Sequence, residues 1–384
     1  MKKGWKNVKL PVLAKSIFAG GDVDKNNLSP IRTKDYPYPI FTNGETNKGL
    51  FGYTSTFRVN EPALTVSARG TIGYTCVRNE PYYPAVRLIN IIPNENVDIN
   101  YISYFIKAKI VTSSGSSIPQ LTVPMVKEFE IGIPESLGEQ LAIVATINQA
   151  FTAIDQAKAN IEKNIINSKE LFQSKLNIVF ETLITKSKLF DLCNFENGDR
   201  GKNYPNKSYR VEQGIRFINA GHFSDNKLDL AKMDFISEER YNLLSNGKVK
   251  KNDILFCLRG SLGKIAVISD VDKGAIASSL IIVRSTSKIN FNFLKYYFLT
   301  KQCFDEIQKY KNGAAQPNLS AASLKEFKIS IPNTVKEQQE IVAKLDQLQE
   351  QTNLLVTKYQ QKLANLEELK KSILEKAFKG ELVN

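Results

Sequence analysis

The chain is poor in the side chains on which most catalysis and metal binding rest. A single histidine, His222, stands among 384 residues. That excludes a His-based triad repeated along the chain, and an isolated histidine with no alignable second copy reads as a loop or core residue. The four cysteines, Cys76, Cys193, Cys257 and Cys303, lie far apart with no C-x-x-C pair. They offer neither a metal site nor a disulfide framework, and each reads as a small buried hydrophobe. No run of 18 apolar residues occurs, so no membrane span is expected. The opening MKKGWKNVKLPVL carries charge but no apolar stretch followed by a small-residue cleavage site, and it reads as mature cytoplasmic sequence.

Phosphate-binding glycine motifs are missing too. There is no G-x-x-x-x-G-K-[ST] and no G-x-G-x-x-G. The nearest strings, Arg259-Gly-Ser-Leu-Gly-Lys264 and Ser113-Ser-Gly-Ser-Ser117, lack the spacing. An Asn-Pro-Pro-aromatic string of an amino-methyltransferase is absent, and no acidic pair with a following Glu-x-Lys recurs as a nuclease site. Four enzyme classes lose support together, and no cofactor is expected in this chain.

Positive charge is what the chain has in excess: 52 Lys and Arg against 39 Asp and Glu, a net +13. Residues 1–135 carry 16 basic and 11 acidic side chains, 136–188 carry 6 and 5, 189–333 carry 22 and 15, and 334–384 carry 8 and 8. The excess sits in the first and third segments, which suggests two basic modules that meet a polyanion, separated by neutral connectors.

The chain also repeats itself. Pro119-Gln120-Leu121-Thr122 returns as Pro317-Asn318-Leu319-Ser320, Glu128-Phe129 as Glu326-Phe327, and Ile133-Pro134 as Ile331-Pro332. Glu139-Gln140 returns as Glu337-Gln338, and Glu170-Leu171 as Glu368-Leu369, all at an offset of 198. Upstream, Arg69-Gly70-Thr71-Ile72-Gly73 matches Arg259-Gly260-Ser261-Leu262-Gly263 at 190, and Asn100-Tyr101-Ile102 matches Asn292-Phe293-Leu294 at 192.

Each half reads the same way. β-like runs are expected at 63–67, 88–92, 254–258, 264–268 and 280–284, with short helices at 102–109 and 293–301. The alternating FEIGIP and FKISIP end at a proline. A helix of roughly 45 residues, or 65–70 Å, then runs over 137–183 and again over 335–378. Thr334 and Glu337 resemble a capping box. Apolar or small residues recur at Ile143, Ile147, Ala150, Ile154, Ala157, Ile161 and Ile165, and at Ile341, Leu345, Leu348, Thr352, Leu355, Tyr359 and Leu363. That is a heptad seam with an extra residue in the step to Ile165 and Leu363. The simplest partner for each stripe is the other helix, paired antiparallel; independent helices, each packed on its own module, are the alternative. The fold class expected is α+β: two mixed α/β domains at 1–135 and 189–333, joined by two long coiled-coil helices at 136–188 and 334–384, with a pseudo-two-fold internal repeat. Ile143, Ile147, Ile154, Ile161, Ile341, Leu345, Leu348, Leu355 and Tyr359 are the candidates for helix pairing or subunit docking.

Phosphate contacts come from Lys and Arg, and base-edge contacts from amides and guanidinium groups. Candidate DNA-contacting residues in the first module are Arg69, Ser116 and Gln120. In the second they are Arg200, Lys202, Asn203, Lys207, Asn219, His222, Lys250, Lys251, Arg259, Ser261, Lys264, Asn312, Gln316 and Asn318. The Arg-Gly turns let backbone approach a phosphate closely, and Gln and Asn suit adenine. The same loops also read as solvated surface or as structural turns.

The repeated block from Pro119 and from Pro317, with its Pro-x-Leu-[Thr/Ser], Glu-Phe-x-Ile-x-Ile-Pro, Glu-Gln and long helix, resembles the specificity (S) subunits of type I restriction–modification enzymes. So do the strings from Phe195 to Lys202, from Phe217 to His222 and from Asp253 to Lys264, which look like a target-recognition domain. The resemblance implies that each recognition domain reads one half of a bipartite, asymmetric double-stranded DNA target. The helices act as a ruler and dock two methyltransferase (M) subunits, with restriction (R) subunits in the full complex. It further implies a non-catalytic chain whose partners carry S-adenosylmethionine and ATP with Mg. Two other readings stand at this level: a fused DNA methyltransferase or nuclease, which requires a cofactor site, and a scaffold protein that does not bind DNA, for which the charge is incidental.

Overall fold

The computed structural model describes residues 4–113, 120–269, 271, 273–313 and 317–382. They form two compact units: residues 1–163 with 359–384, and residues 164–358. None of the described helices is long and apolar enough to cross a membrane.

The first unit opens with β1 (Trp5–Lys9) and β2 (Ala14–Ala19), followed by β3 (Tyr38–Phe41), β4 (Leu50–Thr54), β5 (Ala63–Val66), β6 (Thr75–Arg78), β7 (Tyr83–Pro84) and β8 (Ile89–Pro93). Helices α1 (Ile99–Ser113) and α2 (Val123–Lys127) lead to β9 (Glu130–Pro134). The main sheet is antiparallel in the order β2-β8-β5-β6. A smaller sheet, β4-β3-β7, has one antiparallel and one parallel junction, and β1 pairs with β9. Every residue of β5 is buried, which is why ALTV is a continuous apolar-and-threonine run rather than an alternating one.

The second unit repeats this plan. Its strands are β10 (Lys186–Lys188), β11 (Cys193–Asn197), β12 (Arg210–Val211), β13 (Ile215–Ile218), β14 (Phe223–Ser224), β15 (Lys227–Leu228) and β16 (Asp234–Ile236), then β17 (Ile254–Cys257), β18 (Ile265–Val267), β19 (Gly274–Ile276), β20 (Leu280–Ser285) and β21 (Lys328–Ser330). The short helices are α4 (Leu189–Leu192), α5 (Glu238–Leu243), α6 (Phe291–Tyr297), α7 (Lys301–Tyr310) and α8 (Ala321–Lys325). The main sheet β11-β20-β17-β18 is again antiparallel, β10 pairs with β21, and β16-β13-β19 reproduces the mixed sheet with β12 added at its edge. On β17, Ile254 and Phe256 enter one core while Leu255 and Cys257 enter another, as the two-residue period of a strand requires.

The insertion that changes the repeat offset is visible. Where the first unit has one helix, α1, the second has α6 and α7, separated at Phe298–Thr300. The expected single helix at 293–301 is therefore broken. The Thr300 hydroxyl accepts the Cys303 N–H at 3.2 Å and starts a new helix.

The long helices are α3 (Leu137–Glu181) and α9 (Val335–Lys379), 45 residues each. The predicted capping box forms: Glu337 N–H donates to Thr334 Oγ1 (3.2 Å) and Thr334 N–H to Glu337 Oε2 (3.1 Å). The repeated Glu-Gln owes its glutamine to packing. Gln140 and Gln338 are each 1% exposed. Their Oε1 atoms accept the backbone N–H of Asp98 (2.9 Å) and Asn290 (2.7 Å), clamping each long helix to the entry of α1 and of α6.

Within the first unit the helices run antiparallel. Asp155 pairs with Lys370, and Lys158 with Glu367, so one number rises as the other falls. Ile143, Ile147 and Leu374 share its core. In the second unit Phe172, Leu176 and Phe180 share a core with Val342 and Leu345. Ile143, Ile147, Ile154 and Leu345 are buried, and Ile161, Ile341, Leu348 and Tyr359 are half-buried. Leu355 departs from the predicted seam: it is 41% exposed, and Val356 takes the inward position. The extra residue on α9 therefore falls between Thr352 and Val356, ahead of the step to Leu363.

Candidate nucleic-acid interface

Two turns occupy the same place in the two units. Residues 67–74 join β5 to β6, and residues 258–264 join β17 to β18. Gly73 N–H donates to the Ser67 carbonyl (2.9 Å) and Ser67 N–H to that of Tyr74 (2.9 Å); Gly263 N–H donates to Cys257 (3.0 Å) and Cys257 N–H to Lys264 (2.9 Å). Gly73 and Gly263 both have φ of +82°. A Cβ there would lie 2.4 Å from Ile110 Cδ1 or 2.7 Å from Ile307 Cδ1. Glycine is thus required twice over, by conformation and by the close pass of the neighbouring helix.

Against each turn lies the chain that follows the repeated proline. Leu121 N–H donates to the Ala68 carbonyl, and Leu319 N–H to that of Leu258, both at 2.9 Å. This brings candidate residues from distant sequence together. In the first unit Arg69 donates to Gln120 Oε1 from Nε (3.1 Å) and Nη2 (2.7 Å). In the second, Asn318 and Asn312 exchange backbone hydrogen bonds of 2.9 Å, and the Arg259 backbone lies antiparallel to that of Asn318 in an isolated bridge. Arg69, Arg259, Lys264 and Asn312 are exposed; Gln120, Ser261 and Asn318 are half-buried. Ser116 and Gln316 lie outside the described residues.

Sequence reading missed what surrounds the second turn. A depression of about 330 Å³ is lined by Ser261, Lys264, Phe304, Gln308, Lys311 and Pro317. Phe304 is 57% exposed on α7. An open aromatic face beside two ammonium groups is suited to a base or sugar held next to phosphate. The sequence offered no clear signal for it, since the step from Phe304 to Ile307 reads as one apolar helix face.

The remaining candidates divide by what holds them. Lys202, Lys250 and Lys251 are exposed on loops, and Lys207 is exposed at the start of a short 3-10 turn. Arg200 donates from Nη2 to the Ser278 carbonyl (3.2 Å), and Asn203 from Nδ2 to that of Leu243 (3.0 Å). Asn219 and His222 face each other instead of solvent. Gly221 N–H donates to Asn219 Oδ1 (2.8 Å), and Asn219 N–H donates to His222 Nδ1 (3.2 Å). Asn219 Nδ2 donates to Asp234 Oδ2 (3.1 Å). Burial lowers the His222 pKa in spite of Asp234, so the ring is held toward its neutral form. Among the described residues, no three His, Cys, Asp or Glu side chains gather as a metal site.

The family described as the type I restriction modification DNA specificity domain matches at residues 2–168 and again at 183–365. A chain of Mycoplasma pneumoniae named as a type I specificity subunit is 36% identical over 169 residues, 44% of this chain and 46% of that one. A second from the same organism is 34% identical over 182 residues, 46% and 54% of the two chains. These matches thus span about half the length of the relatives. Two solved structures share the fold, each at 18% identity. A chain from work on complex assembly and conformational transition of the type I R-M system has a TM-score of 0.74, covering 100% of this chain and 99% of that one. The HsdS subunit from Thermoanaerobacter tengcongensis has a TM-score of 0.60, with 100% and 98% covered. With both halves matched in the order in which the repeat places them, the chain belongs to the type I restriction–modification DNA specificity family.

Proposed function

We propose that this chain is the non-catalytic specificity subunit of a type I restriction–modification complex, acting in the cytoplasm. It binds a bipartite, asymmetric DNA target, one half through residues 1–135 and the other through residues 189–333. The observation that carries this reading is the recurrence of one hydrogen-bonded Arg-Gly turn, held in each unit by the backbone N–H of the leucine two residues after a repeated proline. Arg69 with Gln120, and Arg259 with Ser261, Lys264, Asn312 and Asn318, are assigned to the DNA-facing surface. Arg200, Lys202, Lys207, Lys250 and Lys251 supply phosphate contacts, and affinity falls steeply with salt.

The long helices measure the unread spacer and dock two methyltransferase subunits and, through the complex, restriction subunits. S-adenosylmethionine and ATP with Mg are handled by those partners. The buried seam residues Ile143, Ile147 and Leu345 lie in the cores that join the long helices to their own units. Leu171 and Leu369 are 57% and 46% exposed at equivalent positions of the repeat, which suits two copies of one partner. The test is an exchange of residues 189–333 for another such module, followed by genome-wide mapping of methylated sites in cells that carry the methyltransferase partner. One half of the target should change and the other persist. If neither half changes, the recognition reading is wrong.

A further inference from the structure

The first unit buries a cation without an anion to match it. Arg78, at the end of β6, is 6% exposed. Its Nη2 donates to the Lys48 carbonyl (2.6 Å) and its Nε to Thr65 Oγ1 (3.1 Å), and its guanidinium carbon lies 3.5 Å from the centre of the Phe41 ring. No carboxylate pairs with it among the described residues. The acid that reaches it electrostatically, Glu80, is held by Arg32 at 3.1 Å. A buried charge left in that state is costly.

The second unit shows how this chain neutralises a comparable arginine. Arg284 Nη2 also holds a lysine carbonyl, that of Lys248, at 2.7 Å. Arg284, however, meets two carboxylates. Its Nε and Nη2 donate to Asp253 at 2.7 and 3.0 Å, and its Nη1 donates to Glu196. Arg78, which sits on a different strand of the plan, borders an open cavity of about 310 Å³. Lys48, Asn47, Asn79 and Arg32 line it together with Phe41, Tyr53 and Cys76, and so does Glu80, the one carboxylate of the lining, which Arg32 holds. Asn47 and Lys48 both take left-handed backbone conformations, with φ of 49° and 53°. The loop that carries them is tied to the Arg69 turn: Asn43 Oδ1 accepts the Ala68 N–H (2.7 Å), and Ser67 Oγ accepts the Gly44 N–H (3.0 Å).

We propose that the Arg78 cavity is a binding site for a phosphate-type oxyanion, with Arg78 as its buried anchor and Lys48 at its mouth. Given the DNA-recognition reading on which this assignment rests, the oxyanion is a backbone phosphodiester, and the interface of the first unit extends from Arg69 across residues 43–49 to Arg78. Burial pulls the Arg78 pKa down from its ordinary value, but an arginine remains charged at neutral pH, so an oxyanion entering the cavity meets a fixed positive charge.

The test has two arms. In the first, the full chain assembled with its methyltransferase partner is titrated with a labelled duplex carrying its mapped site, between about 50 and about 200 mM chloride. Lys48→Gln and Arg78→Met should each weaken binding on all sequences alike and lower the slope of log affinity against log salt by about one. Lys48 is exposed, so its variant guards against an Arg78→Met chain that misfolds. In the second arm, inorganic phosphate is titrated into the full chain at constant ionic strength while the Arg78 Nε–H resonance is followed. A saturable shift, weakened in Lys48→Gln, together with the reduced slope supports the phosphodiester site. A saturable shift with an unchanged slope supports an oxyanion site filled from solution and overturns the DNA assignment. No shift and no change of slope overturns the site. A wild-type complex without salt-dependent DNA binding sinks the recognition reading instead, and leaves the phosphate arm to decide the anion site.

Discussion

Arg69 and Gln120 stand 51 residues apart in sequence, yet two guanidinium nitrogens converge on one side-chain oxygen, at 3.1 and 2.7 Å. The arginine fixes which way the amide points, because both guanidinium bonds go to its oxygen and turn its NH₂ group to the other side. Arg69→Ala is therefore expected to relax site choice at one position in the half of the target read by the first unit, costing about 1–3 kcal/mol of discrimination there. Because Arg69 is exposed, unfolding stability should stay within about 0.5 kcal/mol of the parent. Methylation mapping and a denaturant titration check the two halves of this statement; an unaltered site preference would remove the pair from the reading surface.

Gln338 accepts the Asn290 N–H at 2.7 Å and donates to the Lys288 carbonyl at 3.3 Å, all inside the second unit. Gln338→Met keeps the volume but leaves those backbone groups unpaired. The expected cost is about 1–3 kcal/mol, read as a lower urea midpoint at unchanged slope. Gln140→Met should do the same in the first unit.

His222 gives a pH signature. Burial lowers its pKa in the folded chain below the ordinary histidine value, so the unfolded chain binds the proton more readily. Its contribution is fully present above about pH 6.5 and is lost as pH falls toward the folded pKa. His222→Gln should flatten the dependence of stability on pH across that window. A thermal-melt series from about pH 5 to 8 decides it, and identical curves for the two chains would count against the buried, neutral ring.

Leu355 and Val356 are neighbours with opposite fates. Leu355→Lys replaces a 41%-exposed side chain and should leave the stability of the isolated chain within about 0.5 kcal/mol. Val356→Lys drives a charge into the helix seam and should cost at least about 1–2 kcal/mol. Reversal of the two effects in a melt would restore the seam expected from sequence alone.

Much of this was readable because the chain says everything twice. The β-like runs at 63–67, 88–92, 254–258, 264–268 and 280–284, the two helices of roughly 45 residues and the capping box at Thr334 were legible in strings matched at offsets of 190 to 198; the pairing of Arg69 with Gln120 was not. What escaped was local. Leu354, Leu355 and Val356 are three apolar residues in a row, so periodicity cannot say which one faces inward. Phe293 to Leu299 is apolar but for Lys295, and the break at Phe298–Thr300 is announced only by one capping threonine. The strands β12, β14 and β15 are two residues long and have no period to detect. Arg78 looks like any strand-end arginine until the ring of Phe41 and the carbonyl of Lys48 close around it. His222 drew notice as a rare residue, and its rarity carried no information about its surroundings.

The division of α3 and α9 between the units sets the order in which this protein can be completed during synthesis. The second unit is one unbroken stretch, residues 164–358, and has all its walls as soon as Lys358 has left the ribosome. The first unit begins earlier but needs residues 359–384, which supply Leu374 and Ala377 to the core that holds Ile143 and Ile147. The domain translated first is thus the last to close. A chain interrupted just before Tyr359 would damage not the module nearest the break but the one at the opposite end of the sequence.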